Sequence, residues 1–169
     1  MEEIKENPIY PDMKAEIEAM LEVDQESIKA DKWNLEAAKK RTERLKEIIE
    51  KIGLPTISKV GEEGHVAAFF IVQHSDFDVE FQKRYLEMMK SAPSEEVNKR
   101  YTAFLEDRTR VNTGRLQVYG TQFYKNEKGV WGPRPMIDPK NIETRRKEVG
   151  LEPFLLYKQL WDKPPDEKH

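Results

Sequence analysis

With 169 residues the chain is long enough to bury one core and short for two domains. Charged side chains make up 36% of it and nearly cancel to a net charge of -3, which describes a solvated mixed-charge surface and not the basic face that nucleic acid requires. Cysteine is absent, which excludes disulfides, thiolate metal sites and a cysteine nucleophile. No window approaches the apolar length of a membrane span or a signal peptide, so a soluble, cytoplasmic protein without membrane contact is expected.

Residues 1–11 carry two prolines and little pattern, and read as an arm ahead of a single helical domain over 12–162. From Asp12 the apolar residues Met13, Ile17, Met20, Leu21 and Ile28 fall at helical spacing. A second helix is expected from Asn34 through Leu45, Ile48, Ile49 and Ile52, stopped by Gly53 with Pro55 beyond. A loop containing Gly61 and Gly64 follows. "HVAAFFIVQ" is then apolar on every side, as a buried helix would be. Phe77, Phe81, Tyr85, Met88 and Met89 mark a fourth helix ended by "SAPS". Ser94 is placed to cap a fifth, with Val97, Tyr101, Phe104, Leu105 and Val111 as its inward stripe and Gly114 as its stop.

"RLQVYGTQFYKNEKGVWGPRP" changes character and predicts a β-hairpin or an extended arm turning at "NEKG". Asp138 and Pro139 start a short helix ended by Gly150, and a last helix covers Pro153 to Trp161. The tail over 163–169 is expected to be disordered. The fold expected is mostly α, with six or seven helices and one small β element.

Polar residues in apolar places carry the functional reading. Positions 17, 21, 24 and 28 share one face of the first helix, and position 24 is aspartate. Positions 97, 101, 104, 108 and 111 share a face of the fifth, and position 108 is arginine. A lone buried charge costs several kcal/mol, so each needs a partner; the economical solution is that Asp24 and Arg108 meet or share one pocket. A stripe misread by one residue is the plainer alternative, placing Asp24 at a boundary and letting Arg108 reach outward.

"QHSDFD" puts His74, Asp76 and Asp78 at the lip of the most apolar segment. The three are metal-ligand types, but the spacing matches no tight ligand signature and His65 projects in a different direction from His74, so no metal site is expected. Asp76 or Asp78 can cap the next helix, and Asp76 can orient His74 as a general base. No Gly-x-Ser-x-Gly elbow exists, and the acidic residues of "VGEEGH" would repel phosphate, so neither a serine hydrolase nor a nucleotide loop is supported. "YGTQ" (Tyr119 to Gln122) gathers a phenol, a hydroxyl and an amide around Gly120, as many structural turns also do.

"GLPTISKVGEEG", "VQHSDFDVEFQ", "LEDRTRVNTGRLQVYGTQF" and "IDPKNIETRRKEVGLEP", in that order, resemble an uncharacterised bacterial family known as domain of unknown function 6624. The likeness runs from Asp24 to Tyr157. It embraces Asp24, Gln25, Asn34, Gln73, His74, Asp76, Gln82, Asp107, Arg108, Gly114, Gln117, Tyr119, Gly120, Thr121, Gln122, Arg145 and Arg146. Leu54 and Val79 depart from it, standing where relatives usually have tryptophan and proline. The resemblance implies that the polar residues form one recurrent set, and it implies no reaction.

Two functions remain from this reading. One is an enzyme of hydrolase or transferase type with a polar pocket for a small polar or peptide-like ligand. There His74 is the acid and base, Asp76 its orienter, Asp24 a second carboxylate and Arg108 a clamp for an anion or carbonyl. Gln25, Gln73, Gln82, Asp107, Tyr119, Thr121 and Gln122 would bind the ligand, with no cofactor. The other is a non-catalytic helical interaction module whose polar set is an internal network.

Overall fold

The computed structural model describes residues 7–162, in which seven α-helices and one two-stranded antiparallel sheet confirm the mostly α fold. The expected tail over 163–169 and the first six residues of the expected arm lie outside the described residues. None of the described helices is long and apolar enough to cross a membrane. The chain divides into two compact units, up to Asn98 and from Lys99 onward.

The first unit holds α1 (Pro11–Lys29), α2 (Leu35–Ile52), α3 (Ile57–Gln73) and α4 (Val79–Ser91). Its centre is α3, against which α1, α2 and α4 all pack. That role follows from composition: Ser58, Glu62 and Glu63 near its start face water, but Val60, Ala67, Ala68, Phe69, Ile71 and Val72 are all buried, in a stretch that is almost wholly apolar beyond Glu63. The α2 helix is amphipathic and lays Ala38, Thr42, Leu45, Ile48 and Ile52 inward. Asn34 accepts the Ala37 N–H at its start (3.0 Å), and Gly53 ends it at φ 73° with its N–H on the Ile49 carbonyl.

Two expectations shift at the start of α3. The residues read as a loop are helical from Ile57, and only Gly61 breaks the helix, at φ 71° and ψ 169°. Only glycine takes that backbone without strain, so the helix kinks there and continues through Gly64. The missing signal is a tertiary cap. The Glu96 carboxylate accepts from the Ser58 N–H (3.0 Å) and hydroxyl (2.8 Å), and the Ile57 N–H donates to the Glu96 carbonyl. The same engagement delays the fifth helix. Residues 93–96 form a turn closed by Glu96 N–H on the Pro93 carbonyl, so α5 begins at Lys99 and Ser94 does not cap it.

His65, wholly buried in α3, ties this turn down from inside. Its Nδ1 lies 2.8 Å from the Pro55 carbonyl and its Nε2 accepts the Asn98 N–H at 3.2 Å. The carbonyl can only accept and the N–H can only donate, so Nδ1 carries the proton and the ring is neutral.

The second unit holds α5 (Lys99–Asn112), β1 (Phe123–Lys125), β2 (Trp131–Pro133), a 3-10 turn (Pro139–Asn141), α6 (Ile142–Glu148) and α7 (Phe154–Asp162). The hairpin forms as expected, Phe123 opposite Pro133, with Asn126 Oδ1 accepting the Lys128 and Val130 N–H groups at its turn. Trp161 of α7 stacks on Phe123 with centroids 5.0 Å apart and tilts against Trp131 at the same separation. Asp138 does precede Pro139, but its carboxylate accepts from the Asn141 side chain in place of a backbone N–H.

Burial of His65 pushes its pKa below the ordinary 6.5. As pH falls the unfolded chain therefore takes up this proton first, so the contribution of His65 is full above about pH 6.5 and is lost below it. His65→Gln should cost about 2 kcal/mol near neutral pH. The gap in Tm from the native chain should narrow between about pH 7.5 and about pH 5. A gap that stays constant across that range in thermal melts would show that His65 is not held neutral.

Candidate functional site

Asp24 is 2% exposed on the inward face of α1, where periodicity places an apolar residue. Its counter-charge, expected from Arg108, comes from Arg41 of α2, seventeen residues further along the chain, whose Nη2 donates to Oδ1. The other oxygen, Oδ2, lies 2.5 Å from Nδ1 of His74, the residue just past the last turn of α3. One carboxylate thus holds a guanidinium and an imidazole, each brought by a different helix. Burial alone would raise the pKa of Asp24. The hydrogen bond and charge of His74, joined by the Arg41 guanidinium, outweigh it and hold the carboxyl below its ordinary value.

An ionised Asp24 has no proton to give, so Nδ1 of His74 carries one, and in the neutral form of the ring Nε2 is the basic atom. Nε2 makes no hydrogen bond among the described residues and is not sealed from water; the side chain is 27% exposed. Phe70, one turn back, lies 6.1 Å from the imidazole between ring centroids.

The turn beyond α3 is fixed by Gln82 of α4, wholly buried. Its Nε2 donates to the Val72 (3.1 Å) and Gln73 (3.3 Å) carbonyls and to Asp76 Oδ1 (3.1 Å). Gln82 therefore closes the helix that presents His74. Asp76, expected to orient the histidine, is engaged with Gln82, and Asp24 does the orienting. Asp78 is the N-cap of α4, accepting the Phe81 N–H at 3.0 Å. Gln73 has a buried Oε1 without a hydrogen-bond partner among the described residues, while Gln25 is exposed one helix step away from Asp24.

In the second unit the buried charge of α5 is Asp107, not Arg108: Ala103 and Asp107 are buried on one side of the helix and Leu105 and Thr109 on the other, so of the stripe expected within it Leu105 is buried while Tyr101, Phe104, Arg108 and Val111 are half-buried. Asp107, wholly buried, gathers the irregular segment 118–121 around itself. Oδ1 accepts the Val118 N–H at 2.6 Å and the Tyr119 N–H at 3.1 Å; Oδ2 accepts the Thr121 N–H at 3.0 Å and its hydroxyl at 2.9 Å. Burial pushes the pKa of Asp107 above its ordinary value against the pull of these donors.

Gln117 completes the frame. Its Oε1 accepts the Gln122 N–H (2.9 Å) and its Nε2 donates to the Gln122 (3.0 Å) and Arg134 (2.7 Å) carbonyls. The carbonyls of Val118 and Tyr119 accept from Arg145 (2.8 Å) and Arg146 (2.7 Å), and that of Thr121 from the Tyr157 hydroxyl (3.2 Å). Side chains thus supply what a helix or strand would supply to this backbone. Gly120 sits inside the frame at φ 68°, where a Cβ would come within 2.7 Å of Phe154 and 2.8 Å of Ile142. Thr121 and Gln122, expected at a pocket mouth, turn inward, and Gln122 Oε1 accepts from Arg108 at 3.1 Å. The Tyr119 side chain is half-buried.

Among the described residues no group of three or more His, Asp or Glu side chains is placed to hold a metal ion. The residue that sequence reasoning missed is Arg41. Its one signal is position: it lies three residues after Ala38 and four before Leu45, at the margin of the buried stripe of α2.

The model of a family of unknown function, DUF6624, matches residues 11–166, and the chain belongs to that family. Neither a curated protein nor a solved structure matches it.

Asp24→Ala should cost about 3–5 kcal/mol by stranding the Arg41 charge, and the double variant with Arg41→Ala should lose much less than the sum. Additive losses in denaturant titrations would show that the two side chains are not coupled. Asp107→Asn turns an amide N–H₂ toward donors and should cost about 3 kcal/mol; a melt unchanged from the native chain would contradict the frame drawn around it.

Proposed function

We propose that this member of the DUF6624 family is an enzyme of hydrolase or transferase type, in which His74 moves a proton at Nε2 and Asp24 orients and stabilises it. The observation that carries the reading is the bond between His74 Nδ1 and the buried carboxylate of Asp24. A carboxylate on one ring nitrogen fixes the tautomer, aims the other nitrogen, and stabilises the imidazolium formed when that nitrogen takes a proton. In the forward direction Nε2 would accept a proton from water or from a substrate hydroxyl as its oxygen attacks. The imidazolium would then return that proton to the leaving group. The substrate class we assign is a small polar or peptide-like molecule, reached from the water-accessible side of the ring.

A second reading, a non-catalytic interaction module, draws support from a different observation. Asp107, Gln117, Thr121 and Gln122 are spent on the backbone of their own unit, as members of an internal network would be. The two readings part at His74, because a network residue has no need of a basic nitrogen facing water.

Peptide-level measurement of diethylpyrocarbonate modification separates them. On the catalytic reading His74 is modified faster than free imidazole, His65 is protected, and Asp24→Asn slows the reaction at His74. On a panel of model esters, amides, glycosides and phosphoesters, any turnover should drop by at least about a hundredfold in His74→Ala, with the fold unchanged by circular dichroism. A His74 no more reactive than free imidazole would remove the catalytic reading in favour of the module.

A further inference from the structure

Asp24 does not use up Arg41. The contact runs through Nη2 alone, and Nε and Nη1 make no hydrogen bond among the described residues. They are also not among the sealed side-chain atoms, in contrast to Arg110 Nε and Arg146 Nη2, so they reach water even though the Arg41 side chain is only 11% exposed. The geometry of a guanidinium adds a constraint. Nη2 has one hydrogen on the edge shared with Nε and one on the edge shared with Nη1. Whichever of them Asp24 accepts, the opposite edge keeps two parallel N–H donors, the arrangement that matches two oxygens of a carboxylate or phosphate.

Ala37 and Ala38 occupy the positions four and three residues before Arg41, so no long side chain from the preceding turn covers the guanidinium. Charge points the same way. Asp24 and Arg41 cancel, and a proton on His74 makes the trio cationic, a charge that an arriving anion would balance.

We infer that the ligand of the His74 site carries an oxyanion, a carboxylate or a phosphate group, and that the open edge of Arg41 receives it beside Nε2 of His74. This rests on the reading of His74 and Asp24 as an acid–base pair, and it narrows the substrate from polar to anionic. Arg41 then has two tasks on two edges: one holds the carboxylate that orients the base, the other positions the molecule on which the base acts. A lysine in its place keeps the charge but has no second edge.

The test is a nuclear magnetic resonance titration of the full chain with sodium phosphate and, separately, sodium acetate, each against sodium chloride at matched ionic strength and fixed pH. The Cε1–H signal of His74 and the Nε–H signal of Arg41 should shift along one saturable curve with at least one of the two anions, while His65 stays still. The anion that saturates at lower concentration identifies the group. Arg41→Lys should weaken that anion about tenfold. Shifts no larger than those in chloride, or equal affinity in a folded Arg41→Lys chain, would overturn the inference; should that variant not fold, the native-chain titrations decide alone. Diethylpyrocarbonate reactivity, measured without added anion, keeps the two readings apart. A reactive His74 that ignores both anions removes the anion site and spares the acid–base pair. Saturable anion binding beside an unreactive His74 removes the acid–base pair and leaves the anion site standing.

Discussion

Taking a carboxylate out of water costs several kcal/mol unless donors replace the hydration it loses. Two such groups, Asp24 and Asp107, set the polar architecture of the two units, and they meet the requirement in opposite ways. Asp107 is satisfied by N–H groups of its own chain, so it organises a stretch of backbone that has no regular structure to satisfy it. Asp24 is satisfied by side chains from two other helices, so it ties those helices together, holding an imidazole in one tautomer and a guanidinium by one nitrogen. The first arrangement is closed to a visitor because every oxygen already has a partner. The second leaves hydrogens over, because its donors carry more of them than Asp24 can accept.

Much of the scaffold could be read from the amino acids because the cues are local. Asn34 before an amphipathic run, Gly53 after it, and the turn residues of "NEKG" each act within a few positions, and each falls where periodicity and capping predict. Asp24 was legible for the same reason, as a charge in an apolar stripe. The register of α5 was not, since Asp107 and Arg108 are adjacent and both break an apolar pattern, and only packing decides which of them turns inward.

Partners distant in sequence leave no local trace. Arg41 stands in "AAKKRTERLKE", where it looks like any other charge on a solvated face, and nothing in that string announces a carboxylate in another helix. Glu96 likewise reads as one more acidic residue after a turn, although it caps a helix 38 residues earlier. The assignment of Asp76 to His74 failed for a related reason. Proximity in sequence suggested a pair, while the turn that follows α3 gives Asp76 to Gln82.

The cap supplied by Glu96 has a consequence for the order of events during synthesis. The central helix of the first unit lies wholly within residues 57–73, yet its first turn is closed by Glu96 and its buried imidazole by the amide of Asn98. A ribosome-bound chain that has exposed α3 but not yet residues 96–98 therefore has its most apolar helix with an open end and an unpaired buried nitrogen. Closure of the unit waits for a short polar turn to leave the exit tunnel. Until then α3 is the segment most in need of shielding from other nascent chains.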